Sequence, residues 1–599
     1  KNEFYALRML CCFNETKLLK ASKIRILTVL VFLMFLFFNI GHAQVDPVGT
    51  KFSARLNSKG EKYIKVQGDI KLIGNTILTP KNKSLPFNDA GNNNDLDAVY
   101  VDIDNDNSTV SSSSANLFIN NGCKRIVFAG LYWSAMYPNA ASTNGNCFNC
   151  GTAPRSDWNQ VRFKVPGGTY QTLTASGPSE IIFKGDNSNN FNNGVYVCFK
   201  DVTSILQGLA DADGTYTVAN LRATTGIRQG GSAGGWTLAV IYESPTVSSK
   251  YISIFDGAQM TNIDRGTDQL LKVDIPISGF KTLPAPFSVK AKIGVAALDG
   301  DYSKNGDGLL FKNGLVPLST LNSSFTPITN ALNPTTLTPE ENSNFFNATI
   351  TVDNAQVTNR NPTNRNNLGF DIDYLEIPNP TNSVIPNGAT EGTFRMFTNT
   401  TGGDGFAAFL ATFAVDIIEP KITLTKQVFD YNVPITTPPT PPINMEGKDV
   451  TLGKELNYVI GFQNQGNDSA VDFTIIDKLP LNTKFNYPAD IVDLPAPIVV
   501  GGVTYRVTHT YDAANRTITF TIPNQFVEKD DPRYTIRFKV KVVESCNEIS
   551  DVCSNIVRNT ATSKYYGLQE ISLPKDKRTE YGDDSLSSYT SCNVGIPQS

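Results

Sequence analysis

Residues 534–542 read Tyr534-Thr535-Ile536-Arg537-Phe538-Lys539-Val540-Lys541-Val542, apolar and polar side chains in strict alternation. A period of two places Tyr534, Ile536, Phe538, Val540 and Val542 on one face of an extended chain and the charged residues on the other. Leu456, Tyr458, Ile460 and Phe462 repeat the pattern, as do Ile518, Phe520 and Ile522. One-sided strands punctuated by turns specify an antiparallel sandwich with a wet outer face.

Upstream, residues 46–418 show short strand-like runs separated by Asn, Asp, Gly and Ser. Val161, Phe163 and Val165 alternate, whereas Arg125–Tyr132 (RIVFAGLY) and Trp236–Tyr242 (WTLAVIY) are continuous and suit central strands. One short helix is expected after Asp201, with Val202, Ile205, Leu206 and Leu209 on its inner side. The fold class is therefore all-β: a large N-terminal antiparallel β-sandwich region over 44–418, as one body or two subdomains, followed by an Ig-like β-sandwich over 419–565. A Pro-rich insertion, 433–443, interrupts the second module, because proline cannot pair as a strand. Polar, Ser-rich residues 566–599 read as a linker or the start of a further module.

Residues 1–43 read as a signal peptide. Lys17, Lys20, Lys23 and Arg25 precede the apolar run Ile26–Ile40, and Gly41-His42-Ala43 supplies small residues at a cleavage site before Gln44. The run is short of the roughly 20 residues a spanning helix needs. The mature chain is thus expected to be exported, with no transmembrane anchor after cleavage. The whole sequence of 599 residues carries 52 basic and 56 acidic side chains and has no dense Lys/Arg run, so nucleic acid is not an expected partner. Its two histidines, His42 and His509, nearly exclude a His-ligated metal centre and leave one candidate base for a triad.

Seven cysteines follow residue 43 and are expected to oxidise outside the cell. Cys546 and Cys553 bracket a polar loop and form the best disulfide, and Cys123 with Cys198 form a second. Cys147 and Cys150 make a poor metal site without further ligands. Cys592 is the odd thiol.

Residues 421–565 resemble the bacterial conserved repeat domain, an Ig-like module of large surface proteins. The resemblance is carried by Gly453-Lys454-Glu455-Leu456-Asn457-Tyr458, Phe462-Gln463-Asn464-Gln465-Gly466-Asn467, Ile476-Asp477-Lys478-Leu479-Pro480 and Asn559-Thr560-Ala561. Residues 46–418 look like the domain that precedes such repeats in Bacteroidetes surface proteins. The matching segments are Val127–Ser134, Gly234–Glu243, Phe255-Asp256-Gly257 and Asn367–Asp373. The resemblance implies a type IX-secreted, gliding-motility-associated adhesin whose natural chain continues past Ser599. It also makes Asp468-Ser469-Ala470 and Asp584-Ser585-Leu586 similar to the short O-glycosylation sequons of that phylum.

Three constellations could carry chemistry. Asp299, Asp301, Ser303, Asn305 and Asp307 place hard oxygen ligands at alternate positions, which can wrap one Ca²⁺, with Asp371 and Asp373 adding to it across space. Asp102, Asp104 and Asp106 form a weaker version, and ordinary Asp/Asn turn chemistry is the competing reading of both. Trp158, in a polar segment, is the candidate for stacking on a glycan, whereas Trp133 and Trp236 are expected in the core. Gly230-Gly231-Ser232-Ala233-Gly234 matches a nucleophile elbow but precedes a strand-like run, so it is expected to be a flexible turn. The expected function is that of a non-enzymatic, secreted cell-surface adhesin that meets polysaccharide or protein ligands, with the Ig-like module as spacer. The alternatives are a glycan-binding or glycan-hydrolysing surface protein and a structural matrix component.

Overall fold

The computed structural model describes residues 48–592, apart from 105, 120–122, 138–146, 149–155, 186–193, 229, 262–270, 329–343, 400–403, 431–442, 546, 549–554, 572–579 and 583–585. The signal segment, Cys546, Cys553 and nearly all of the Pro-rich insertion lie outside the described residues. Strands dominate, as the alternation requires, and the architecture is all-β. Among the described residues no helix is long and apolar enough to cross a membrane.

The N-terminal region is organised by one 12-stranded sheet whose middle strands are Ile64–Thr76, Gly234–Glu243 and Ser249–Met260. Alternation along Arg125–Met136 sends Leu131, Trp133 and Ala135 to one core and Tyr132 and Met136 to another. The first core packs this half of the sheet on a five-stranded sheet that includes Ser112–Leu117, Gln160–Lys164 and Gly214–Ala219. The far half, with Ala291–Leu298 and Ala407–Asp416, packs on a four-stranded sheet that includes Lys272–Ser278 and Glu391–Thr398. A third apolar layer, including Ile70, Ile241, Ile254, Ile372 and Phe409, joins the inner faces of the two halves. The sheet is buried on both faces there, which is why WTLAVIY reads as continuous rather than alternating. The expected helix forms over Thr203–Gln207, and Asp201 Oδ1 accepts the Thr203 N–H at 2.8 Å.

The second body is an Ig-like sandwich. One sheet pairs Ile422–Asp430, Glu455–Asn464 and Tyr534–Val542, and the facing sheet contains Ala470–Lys478, Thr517–Ile522 and Ile556–Gly567. Every inward residue read from the three alternating stretches, apart from half-buried Tyr534, is buried. The sandwich continues beyond residue 565. Leu586–Cys592 pairs antiparallel with Ile556–Ala561 and parallel with Asp449–Val450. The reading of 566–599 as a linker or a new module is corrected for this strand, whose sequence LSSYTSC is too poor in apolar residues to announce itself.

Candidate functional site

The loop 299–306 connects Ala291–Leu298 to Asp307–Asn313. Asp299 adopts a left-handed conformation (φ 71°), which aspartate tolerates better than most residues. Gly300 follows where a Cβ would lie 2.3 Å from Phe346 O and 2.5 Å from Asp371 Oδ2, so no larger residue fits. The loop drives Asp299 and Asp301 into the protein. There Asn93 Nδ2 donates to Asp299 Oδ1 at 2.6 Å, the Asn93 N–H donates to Asp301 Oδ1 at 3.2 Å, and the Asp301 N–H donates to Asp404 Oδ2 at 2.5 Å. Lys304 Nζ reaches Asp404 Oδ1 only at 3.8 Å. Asn93 Oδ1 has no hydrogen-bond partner.

Three carboxyls thus share a buried site in which Arg228 offsets part of the charge on Asp299. Burial pushes Asp301 up to about 6, and burial together with the Asp301 charge pushes Asp404 up to about 7. Asp299 rises well above the carboxylate range through burial and then repulsion from Asp404 and Asp301.

The five residues predicted to wrap a cation are not brought to one point. Ser303 and Asn305 are exposed, and Ser303 Oγ donates to Asn92 Oδ1 at 3.0 Å. Asp307 is buried on another side, where its Oδ1 accepts the Phe345 and Phe346 N–H groups at 2.7 and 2.8 Å. The reason is conformational: left-handed turns at Asp299 and at Gly306 (φ 123°) break the uniform extension that alternation presumes. Asp371 accepts from Ala348 and Thr349 at 2.6 and 3.1 Å, and Asp373 bonds the Thr351 hydroxyl. Asp102, Asp104 and Asp106 accept from Ser112, Thr109 and Ser108 nearby, with Tyr170 also on Asp104. Among the described residues no three His, Cys, Asp or Glu side chains are gathered to hold a metal ion. Asp404 and Asn93 were missed in the sequence because they lie in loops more than 90 residues along the chain from the 299–307 loop, where local spacing cannot link them to it.

Trp158 is half-buried and packs edge-on against Tyr196 at 5.5 Å between centroids, while its carbonyl accepts from Trp133 Nε1 at 3.1 Å. It borders the core and does not form an exposed platform. Trp133 and Trp236 are fully buried. Ser232 is also fully buried, and the strand Gly234–Glu243 follows where an elbow needs a helix. His509 lies in the other body on Thr508–Asp512, with Nδ1 3.1 Å from the Tyr487 hydroxyl.

The expected Cys123–Cys198 bridge is not formed: Cys123 is exposed and unbonded. Cys198 stands opposite Trp133, eight strand residues beyond Arg125, whereas Cys123 precedes Arg125. Those eight residues span roughly 26 Å, against the 7 Å or so between Cα atoms that a disulfide tolerates. The side chains of Cys147, Cys150 and Cys592 lie outside the described residues.

The junction between the two bodies is densely bonded. The Glu419 N–H donates to Asn467 Oδ1, and Asn467 Nδ2 donates to the Ile417 carbonyl, both at 2.8 Å. Lys421 Nζ crosses to Glu243 Oε1 at 2.7 Å and Gln67 Oε1 at 3.3 Å. Burial alone would raise Glu243, but Lys421 and Arg125 hold it below the usual carboxylate range. At Gly466 a Cβ would sit 2.3 Å from Lys421 N and 2.4 Å from Glu419 O, so only glycine lets the two segments approach.

Sequence reading also missed a buried polar group inside the Ig-like sandwich, where Lys426, Asp477 and Asn559 meet among apolar side chains.

No protein-family model and no curated protein sequence matches this chain. Solved structures give faint likenesses. The C-terminal domain of the Streptococcus pyogenes antigen I/II-family protein AspA is 11% identical, with 57% of this chain and 92% of that one covered, at a TM-score of 0.21. The N-terminal domain of the Streptococcus gordonii adhesin Sgo0707 is 10% identical, with 92% and 94% covered, at 0.22. The full-length major pilin SpaD of Corynebacterium diphtheriae is 13% identical, with 48% and 59% covered, at 0.20. Likenesses this faint among bacterial surface domains carry no functional inference for this chain.

Proposed function

We propose that this chain is a non-enzymatic cell-surface protein in which the N-terminal body meets the target and the Ig-like body is the spacer that projects it. The observation that carries this reading is the junction. Asn467, Gly466 and Lys421 tie the end of one sandwich to the start of the next, so orientation is transmitted rather than lost in a flexible linker. Contact through loops on a rigid scaffold suits adhesion. Export through the 1–43 signal, a Bacteroidetes origin, type IX secretion and a gliding role extend the same proposal. A deletion strain that loses attachment or gliding supports it, and one with unchanged attachment and motility contradicts it.

Glycan binding is the second reading. An open depression of about 720 Å³ lies between the strand start at Arg125 and the short helix, lined by Phe118, Lys124, Leu206, Leu209, Asp211 and Asp213. Phe118 is 62% exposed there, offering an apolar face beside charged rims. A glycan array with the full chain, read beside turnover of the same sugars, separates binding from hydrolysis.

Calcium binding is a separate proposal. It rests on the sequence pattern of Asp299, Asp301, Ser303, Asn305 and Asp307, and it needs the loop to rearrange around the ion, since no three carboxylates among the described residues are gathered to hold one. Calorimetric titration tests it: no heat at millimolar Ca²⁺ removes it.

A further inference from the structure

Lys426, Asp477 and Asn559 come from three strands and two sheets, and each lies on the inner face of its strand. Alternation along Ile422–Asp430 turns Lys426 inward beside buried Val428. Asp477 lies opposite Ala561 in the facing sheet, and Asn559 is two residues from Ala561, which makes Asp477 and Asn559 diagonal neighbours on one face. The side chains of Lys426 and Asp477 are wholly inaccessible and in contact, and Asn559 is fully buried. The Asn559 carboxamide lies against the Asp477 carboxyl, yet neither its Oδ1 nor its Nδ2 makes a well-formed hydrogen bond. Asp477 Oδ1 and the Tyr458 hydroxyl are likewise unpartnered, and the Tyr458 ring centroid is 5.3 Å from Lys426 Nζ.

A core does not keep an amine, an acid and an unpaired amide together for stability alone, since apolar residues of similar volume serve as well or better. Burial pulls Lys426 below the usual lysine range against the attraction of Asp477, and it pushes Asp477 above the carboxylate range against the pull of Lys426. The two therefore approach a neutral amine beside a carboxylic acid. A desolvated neutral amine is a nucleophile, and a carboxylic acid can polarise a neighbouring amide oxygen.

We propose that Lys426 and Asn559 become joined by an intramolecular isopeptide bond, with Asp477 as the proton carrier. Lys426 Nζ attacks Asn559 Cγ while Asp477 hydrogen-bonds to Oδ1. The Nζ proton passes through the Asp477 carboxyl to Asn559 Nδ2, the Cγ–Nδ2 bond breaks, and ammonia leaves. One C–N bond forms as one breaks, nothing is oxidised or reduced, and Asp477 is regenerated. Exclusion of water from the core keeps hydrolysis from competing. The product ties the first strand of one sheet to a late strand of the other, and it expels the orphaned Nδ2 of Asn559 while Oδ1 stays as the carbonyl beside Asp477.

Mass spectrometry of the purified full chain tests this without any substitution. The expected result is a chain lighter than its residues by one ammonia. A branched peptide should link the Lys426 and Asn559 segments, with no tryptic cleavage after Lys426. Asp477→Ala, Lys426→Ala and Asn559→Ala should each restore the lost ammonia. An unbranched Lys426 peptide from the folded wild-type chain overturns the proposal, even where ammonia has been lost at another asparagine. Survival of the branch in Asp477→Ala overturns the role given to Asp477.

Discussion

The two bodies both bury carboxylic acids, and they neutralise them by different means. In the N-terminal body, Asp299, Asp301 and Asp404 are gathered with one asparagine, a distant lysine and the nearby Arg228, and burial with mutual repulsion outweighs that positive charge, so the carboxyls hold protons. In the Ig-like body, Asp477 meets a lysine and an amide, so charge can be cancelled within the core itself. A cluster of like charges answers to pH. A mixed cluster answers to chemistry between its members. Burial sets the demand for neutrality in both places, while neighbours decide how it is met.

The mixed cluster should respond most strongly to substitution. Asp477→Ala leaves the Lys426 amine buried without its acid, which costs about 3–5 kcal/mol. Denaturant unfolding of the full chain, followed at a probe in the Ig-like body, should show that body melting first.

Next is the pH response of the acid loop. Asp301 and Asp404 have folded values of about 6 and about 7 against an ordinary 3.8. A raised carboxyl binds its proton more tightly when folded, so its contribution is complete below pH 3.8 and is lost as pH climbs through those two values. The N-terminal body should lose stability steadily between pH 4 and pH 8. In the double variant Asp301→Asn, Asp404→Asn that dependence should flatten. Thermal melts at a series of pH values read both.

A smaller effect tests the connection between the regions. Gly466→Ala places a Cβ against Lys421 N and Glu419 O and should cost about 1–3 kcal/mol. Limited proteolysis should then cut near residues 417–421, where the wild-type chain resists. Smallest of all, Ser232→Ala removes a buried hydroxyl that has no partner, so stability should change by less than about 1 kcal/mol. No surface activity should change with it.

The fold was legible where one face of a strand is wet. YTIRFKVKV names its own inner and outer residues, and the structure buries the inner Ile536, Phe538, Val540 and Val542. Where a sheet is covered on both faces, as at WTLAVIY, the run gives a strand without saying which residue meets which layer. LSSYTSC was illegible because its strand is specified by its neighbours' unpaired backbone rather than by its side chains. The acid loop misled because spacing along a chain becomes spacing in space only while the backbone stays regular. The Lys426 group does leave a mark in the sequence. Lys426 occupies the inward position of Leu424-x-Lys426-x-Val428, Asp477 that of Phe473-x-Ile475-x-Asp477, and Asn559 that of Val557-x-Asn559-x-Ala561. Polar residues at the apolar phase of three amphipathic strands are the signature of a buried cluster.

If the Ig-like body is a spacer closed by its own core, it must keep its length under load, and pulling single chains by their two ends tests this most directly. The N-terminal body should extend in steps, while residues between Lys426 and Asn559 add no length at any force below bond rupture. Extension of that segment as an ordinary unfolding step would contradict the spacer and its crosslink together.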